Sequence, residues 1–363
     1  MIPFGDLRRQ YISIKDELDK ALAGVLDSGW YILGKQVQQF ENNFSAFCNK
    51  KYGVGVNSGT DALILALKAS GVKPGDEVIT VSFTAIPTIS AIYAVGASPV
   101  FVDIGDYYTM DPDKVESSIT PKTKVILPVH LYGQSCDMDP ILEIANKYNL
   151  KVVEDCAQAH GALYKGKKVP VGDIGCFSFY PSKNLGALGD GGMIVTDDVE
   201  IYNKLLSMRE YGQKERYYQV IDGINSRLDE LQAALLNIKL KYLDKWNARR
   251  RQIAKIYFEG LQEDKNIVFP LERRDCRQIF HLFVIRHDNR DDLREYLKNN
   301  KIQTQIHYPI PNHLQEYYVK NFNKKFNLPK TEKYSKEILS LPMFPELNDE
   351  EVKEIIKFIN AYK

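Results

Sequence analysis

The chain has 363 residues, 44% of them hydrophobic and 26% charged, a composition that excludes disordered and fibrous classes. At about 150 residues per domain the length implies two compact units, or one large and one small. Lys plus Arg number 48 against 47 Asp plus Glu, a formal charge of +1; no basic excess draws nucleic acid or an anionic membrane, so any bound anion needs a local site.

In chain order, the opening Met1-Ile2-Pro3-Phe4-Gly5 lacks the apolar core of a signal peptide. Tyr11, Ile14, Leu18, Leu22 and Val25 recur at helical spacing and predict a helix over 7–26, stopped by Asp27-Ser28-Gly29. Val37, Phe40, Phe44 and Phe47 form a second apolar stripe. From Tyr52 short apolar strands alternate with helical runs. The strands are expected at 53–56, 77–81, 99–103, 125–130, 152–155, 176–180 and 193–196, and helices at 61–70, 86–95 and 140–148. This rhythm predicts an α/β domain with a mainly parallel sheet. The close pair 176–180 and 193–196 is the expected place of an antiparallel member.

Helical patterns over 227–243 and 245–261 bridge to a second unit. There, strands at 281–286 and 302–306 and helices at 291–299 and 349–362 predict a smaller α+β domain. The division falls at 1–245 and 246–363. The segment 309–329, with its Tyr-Pro and Pro-Asn pairs, reads as an ordered loop. No apolar run approaches the roughly 18 residues of a membrane span. Cys48, Cys136, Cys156, Cys176 and Cys276 are scattered and contain no C-x-x-C. They suggest neither a disulfide framework nor a metal site, but small buried hydrophobes in a cytoplasmic protein.

Three segments carry chemistry. In Val54-Gly55-Val56-Asn57-Ser58-Gly59-Thr60-Asp61 a strand passes through a polar turn into a helix. The first turn of such a helix offers free N–H groups and partial positive charge to a phosphate. Ser58 and Thr60 add hydroxyls and Gly59 admits an anion to the backbone, although capping is the commoner role of such hydroxyls. In Val152-Val153-Glu154-Asp155-Cys156-Ala157-Gln158-Ala159-His160, Asp155 ends an apolar strand, where open α/β sheets collect ligands. A buried carboxylate needs a partner, and a protonated heterocyclic nitrogen supplies one; a helix cap or ion pair is the other reading. His160 either lies over a flat ring or is a hydrogen-bonded core histidine.

In the third segment, Cys176-Phe177-Ser178-Phe179-Tyr180-Pro181-Ser182-Lys183, the lysine follows a buried strand and a proline. A lysine tucked against a sheet sheds its proton readily and forms a Schiff base, whereas most loop lysines are solvated. The offset from Ser178 to Lys183 lets one loop hold a phosphate and an aldehyde carbon. Pyridoxal 5′-phosphate has the matching handles: phosphate, pyridinium nitrogen and aldehyde. No G-x-G-x-x-G follows the first strand and no G-x-x-x-x-G-K-S/T occurs, so nicotinamide and nucleoside triphosphate readings lack their main support.

With these segments in place, the chain resembles the DegT/DnrJ/EryC1/StrS family of sugar aminotransferases over essentially its whole length. The likeness runs from Gly29-Trp30-Tyr31-Ile32-Leu33-Gly34 through Asn57-Ser58-Gly59-Thr60, Glu154-Asp155, Ser178 and Lys183. It continues through Gly223-Ile224-Asn225-Ser226-Arg227-Leu228-Asp229 to His307-Tyr308-Pro309-Ile310-Pro311-Asn312-His313. The resemblance implies the α/β architecture of fold type I pyridoxal-phosphate enzymes, aspartate aminotransferase-like. That architecture has a large, mainly parallel, seven-stranded sheet domain and a smaller C-terminal α+β domain.

It also implies Lys183 as the aldimine lysine, Asp155 as partner of the ring nitrogen and Gln158 against the phenolic oxygen. Ser58, Gly59, Thr60 and Ser178 would hold the phosphate, with Asn225 reaching it from the neighbouring subunit of a homodimer. Where many members carry a stacking aromatic this chain has Ala85; Phe83, on the same side of an extended segment, and His160 are the candidates to cover the ring. Tyr31, Tyr308 and His313 match positions lining the family's sugar-nucleotide pocket, with interface packing as the other reading. The implied reaction moves an amino group from L-glutamate to a dTDP-3-keto-6-deoxyhexose. A 4-keto sugar nucleotide, a ketocyclitol and a non-catalytic regulator on the same scaffold are the alternatives. A related branch that removes a sugar hydroxyl has His where Lys183 stands.

Overall fold

The computed structural model describes residues 1–262, 266–322 and 325–362. Seven strands make its main sheet: β1 Tyr52–Val56, β2 Glu77–Val81, β3 Ser98–Val102, β4 Thr123–Ile126, β5 Lys151–Asp155, β6 Ile174–Ser178 and β7 Gly192–Thr196. They lie in the order β1-β7-β6-β5-β4-β2-β3. β2 through β6 pair in parallel, and β7 runs antiparallel to both β1 and β6. The antiparallel member is therefore where the sequence pattern puts it. Parallel strands need crossovers that cover both faces, which is why these strands read as apolar runs rather than alternations.

The helices that matter for the site are α1 Leu7–Ser13, α2 Lys15–Ser28, α3 Lys35–Phe47, α4 Gly59–Ala69 and α5 Ile86–Ala94. The single helix expected over 7–26 is thus two, broken at Ile14, whose φ of −134° is not helical. Periodicity of apolar residues survives such a break and so does not reveal it. Gly29 ends α2 in the left-handed conformation (φ 64°), as the Asp-Ser-Gly stop predicts.

Two further expectations change. The segment 302–306 forms no strand: Ile302 bridges Ile2 while Gln305 bridges Ser340, and partners on different elements prevent a ladder. The expected loop 309–329 contains a 3-10 turn at Asn312–Leu314 and a helix at Glu316–Phe322; its residues 323–324 lie outside the described residues. The predicted strand 125–130 stops at Ile126. Pro128 cannot donate to a ladder, and beyond it only Val129 bridges Asp155.

Phe40, Phe44, Leu65, Ile79, Val153, Phe177 and Ile194 belong to one large core around the sheet. A second core joins Ile253, Tyr257, Leu293 and Ile355 to an antiparallel pair, β8 Phe283–Arg286 and β9 Ile338–Leu341. Ile2 joins that second core, and Arg9 forks onto the Glu351 carboxylate with both contacts at 2.8 Å. The start of the chain is thereby tied to its last helix. All five cysteines are free, four of them buried and Cys276 half-buried. Among the described residues no helix is long and apolar enough to cross a membrane.

The approach to α3 is fixed by a buried carboxylate. Glu230 accepts from the amides of Gly34, Gln36 and Val37 at 2.9, 3.0 and 2.7 Å, neutralising the positive end of the helix. A Cβ on Gly34 would lie 2.8 Å from Glu230 Oε2 and 2.5 Å from Trp30 Cδ1, so a side chain there would push against the capping carboxylate. Glu230→Ala is expected to cost about 2–3 kcal/mol in urea unfolding, from lost charge-assisted hydrogen bonds. A loss below about 0.5 kcal/mol would show that water replaces the cap.

Candidate active site

β1 delivers the chain into α4, and the turn between them is built for close approach. Ser58 Oγ accepts from the Asp61 amide at 3.1 Å, so it takes the capping role. The amides of Gly59 and Thr60 find no acceptor among the described residues. A Cβ on Gly59 would stand 2.5 Å from Ser178 Cβ and 3.1 Å from its Oγ, which sets the end of β6 directly against the start of α4. Gly192 permits the same closeness, since its Cβ would meet the Ser58 carbonyl at 2.2 Å. Unclaimed amides at a helix N-terminus beside a serine hydroxyl form a donor set that fits a phosphate.

Asp155 sits at the carboxyl end of β5 and is 5% exposed. Its Oδ1 accepts from the Ala157 amide at 3.1 Å and its Oδ2 from the Thr88 hydroxyl at 2.8 Å. Burial pushes its pKa up, while those donors and the charge of Lys183 oppose the rise. Lys183 follows a turn in which its own amide donates to the Tyr180 carbonyl at 2.8 Å. The next residue, Asn184, is buried between His281 Nδ1 at 3.0 Å and Asn247 Oδ1 at 2.8 Å. Asn247 in turn donates to the His160 carbonyl at 2.8 Å, so the loop cannot swing freely.

Lys183 is half-buried by surface area, and the loss of water around its amine pulls the ammonium down to about 8, although the Asp155 charge favours it. Its Nζ makes no hydrogen bond or salt bridge among the described residues. The amine and the carboxylate feel each other's charge without forming a hydrogen bond or salt bridge, so each is left to engage a third group. The amine, moreover, is a competent nucleophile near neutral pH. Together with the anion cradle, this fits the aldehyde, ring nitrogen and phosphate of pyridoxal phosphate.

Gln158 links two further residues: its Oε1 accepts from the Tyr132 amide at 2.8 Å and its Nε2 donates to the Tyr308 hydroxyl at 3.0 Å. Tyr308 is thereby tied to Gln158, three residues beyond Asp155. Phe83 does not cover a ring there; it is 1% exposed and stacks on Tyr108 with its edge to Tyr132. The strand ends at Val81, so the alternation that would have put Phe83 beside half-buried Ala85 no longer holds. His160 has no exposed surface and packs among Phe44, Phe177 and Phe179. Burial and the nearby Lys183 charge lower its pKa to about 3. It stands as a neutral ring in the wall, with no face offered to a ligand.

His313 also departs from the sequence expectation. It is 6% exposed, with Nδ1 at 2.7 Å from the Ser82 hydroxyl and Nε2 at 3.3 Å from Glu332, committed to scaffold rather than to a pocket. Tyr31 is exposed and its carbonyl accepts from the Glu230 amide. Asn225 is exposed on a segment bridged to Glu210, with no side-chain hydrogen bond among the described residues.

Sequence reasoning missed Thr88, for which the only signal is its i, i+4 spacing from Thr84. The buried His130–Glu154 pair was missed too, with Nε2 2.7 Å from the carboxylate. His130, Glu154 and Cys156 have ligand atoms within 4.8 Å of one another. His130 Nδ1, however, accepts from the Cys136 amide at 3.0 Å, so both ring nitrogens are already engaged and none is left to bind a metal.

Residues 12–360 match the DegT/DnrJ/EryC1/StrS aminotransferase family. The chain is 50% identical over 364 residues to the dTDP-3-amino-3,6-dideoxy-alpha-D-galactopyranose transaminase of Aneurinibacillus thermoaerophilus, covering 100% of this chain and 99% of that one. Its fold superimposes on Streptomyces venezuelae DesV in complex with a ketimine intermediate, with a TM-score of 0.97, 44% identity and coverage of 99% and 98%. It also matches NtdA of Bacillus subtilis with bound cofactor PMP, with a TM-score of 0.92, 35% identity and coverage of 99% and 85%. The chain belongs to this aminotransferase family.

The lowered pKa of Lys183 has a signed consequence. Its folded value of about 8 lies below the ordinary lysine value of 10.5, so the ionised amine opposes folding below about pH 8, and that penalty fades as pH rises toward 10.5. Lys183→Met is expected to raise the melting temperature of the cofactor-free protein at neutral pH, and to lose the advantage in alkaline buffer. An equal or lower melting temperature for the variant at neutral pH would contradict a desolvated lysine.

Proposed function

We propose that this family member transfers an amino group from L-glutamate to a dTDP-3-keto-6-deoxyhexose, giving 2-oxoglutarate and a dTDP-3-amino-3,6-dideoxyhexose, with pyridoxal 5′-phosphate as cofactor. The observation that carries this reading is the unpaired, desolvated amine of Lys183 beside the buried carboxylate of Asp155. Choice of the sugar nucleotide is supported by the named activity of the relative sharing half of its residues.

When bound, pyridoxal phosphate supplies an electron sink for the carbon losing its proton. In this reading Asp155 accepts the ring N–H and, as an anion, keeps that nitrogen protonated. Gln158 donates toward the phenolic oxygen. The amides of Gly59 and Thr60 and the hydroxyl of Ser178 hold the phosphate, with Ser58 ordering the turn. Lys183 would hold the aldehyde, and its free amine would take the proton from the donor's α-carbon, its lowered pKa suiting both tasks.

Tyr31 and Tyr308 line the sugar-nucleotide side. Asn225 of the partner subunit completes the phosphate site in a homodimer. Support for association comes from exposed apolar residues on this chain, among them Trp30 at 63%, Ile86 at 57% and Tyr180 at 56%. The units 1–245 and 246–363 share the helix Leu243–Gly260, which has Leu243 in one core and Ile253 in the other. Free thiols throughout accord with the cytoplasm.

The test uses purified holoprotein, nitrogen-15 glutamate and a panel of 3-keto and 4-keto sugar nucleotides, with mass spectrometry of the products. Label is expected in a dTDP-3-amino sugar with ping-pong kinetics; label only in a 4-amino product would overturn the choice of substrate. Asp155→Ala is expected to lower kcat on the order of 10²–10³-fold through lost charge stabilisation. Near-normal kcat in that variant would remove the ring-nitrogen role.

A further inference from the structure

Asp155 is held by a chain of buried polar groups that take no direct part in the reaction. Thr88 gives a hydrogen bond of 2.8 Å to Asp155 Oδ2, and Thr84 Oγ1 lies 2.9 Å from Thr88 Oγ1. A carboxylate accepts only, and a threonine hydroxyl has one proton to give. Thr88 spends that proton on Asp155, so the Thr84 hydroxyl must be the donor in the second contact. The direction of the chain is therefore fixed: Thr84 to Thr88 to Asp155.

The relay has its own anchor. Asn312 Nδ2 donates to the carbonyls of Thr84 at 2.8 Å and Ser82 at 3.0 Å, and its backbone amide donates to Ser82 at 3.1 Å. Asn312, Thr84 and Thr88 are all buried. Asn312 is four residues beyond Tyr308, whose hydroxyl accepts from Gln158. One loop of the C-terminal half thus grips the 82–88 segment at one end and Gln158 at the other.

We infer that Thr88 is a positioning residue for Asp155, and that Thr84, held by Asn312, orients the Thr88 hydroxyl. With Oδ2 engaged by Thr88 and Oδ1 by the Ala157 amide, the carboxylate plane cannot rotate. Its remaining lone pairs would then be left for a ring N–H. A buried carboxylate with fixed donors also stays ionised more readily. This inference rests on the pyridoxal-phosphate reading of the site, and its test separates the two.

The experiment compares wild-type holoprotein with Thr88→Val, which keeps shape and removes the hydroxyl, and Thr88→Ser, which restores it. Thr88→Val is expected to lower kcat about 10-fold or more, the worth of a hydrogen bond to a charged group, with KM for glutamate within about 2-fold. The pH midpoint of its visible cofactor absorbance is expected to move, while Thr88→Ser recovers both readouts. Thr84→Val, which leaves the contact to Asp155 in place, is expected to lower kcat in the same direction by about 3-fold; it carries the test should Thr88→Val not fold. Wild-type kcat and an unshifted absorbance titration in Thr88→Val, or in Thr84→Val, would overturn the inference and leave the site reading intact. A wild-type protein that binds pyridoxal phosphate without any visible band would overturn both.

Discussion

Desolvation of two opposite charges that do not touch is the constraint on which the rest of this molecule depends. Lys183 and Asp155 lie near enough to feel each other's charge, and burial drives the lysine toward its neutral form and the aspartate toward its protonated form. A direct salt bridge would relieve both, yet none forms. The protein holds this uncompensated arrangement with structure elsewhere, and a ligand carrying an electrophilic carbon at one end and a ring nitrogen at the other relieves it.

The scaffold is organised to keep the two apart. Asp155 is fixed by its position at the end of a central parallel strand, by the Ala157 amide and by Thr88. Lys183 is fixed by the buried Asn184, pinned between His281 and Asn247. His281 lies between Phe280 and Phe283 of the second core and Asn247 lies on the helix that spans both cores, so the amine loop is tied to both halves. The helix start at Gly59 meets the strand end at Ser178 because neither Gly59 nor Gly192 has a side chain to prevent it. Sheet topology sets the addresses of these groups, and glycines set the closeness.

Much of this is legible in the sequence. Apolar runs bounded by turn residues locate all seven sheet strands, because strands covered on both faces leave that signature. The places of Asp155 and Lys183 follow from their strands, since carboxyl ends of parallel strands converge on one edge. What the sequence conceals depends on contacts between distant segments. Phe83 reads as an aromatic next to a cofactor position, but Tyr108 and Tyr132 claim it. His313 reads as a pocket residue, but Ser82 and Glu332 claim it. Thr88 looks like any threonine near the start of a helix until Asp155, 67 residues away, is seen beside it. The failed strand at 302–306 has the same origin, because its two ends answer to different partners.

The most direct measurement is to reduce the holoprotein with borohydride, digest it and map the phosphopyridoxyl group by mass spectrometry. Each chain is expected to carry one such group, on the peptide containing Lys183, with no visible absorbance left after reduction. Reduction that marks another lysine, or none while cofactor is bound, would contradict the claim that the desolvated amine opposite Asp155 is the centre of this protein's chemistry.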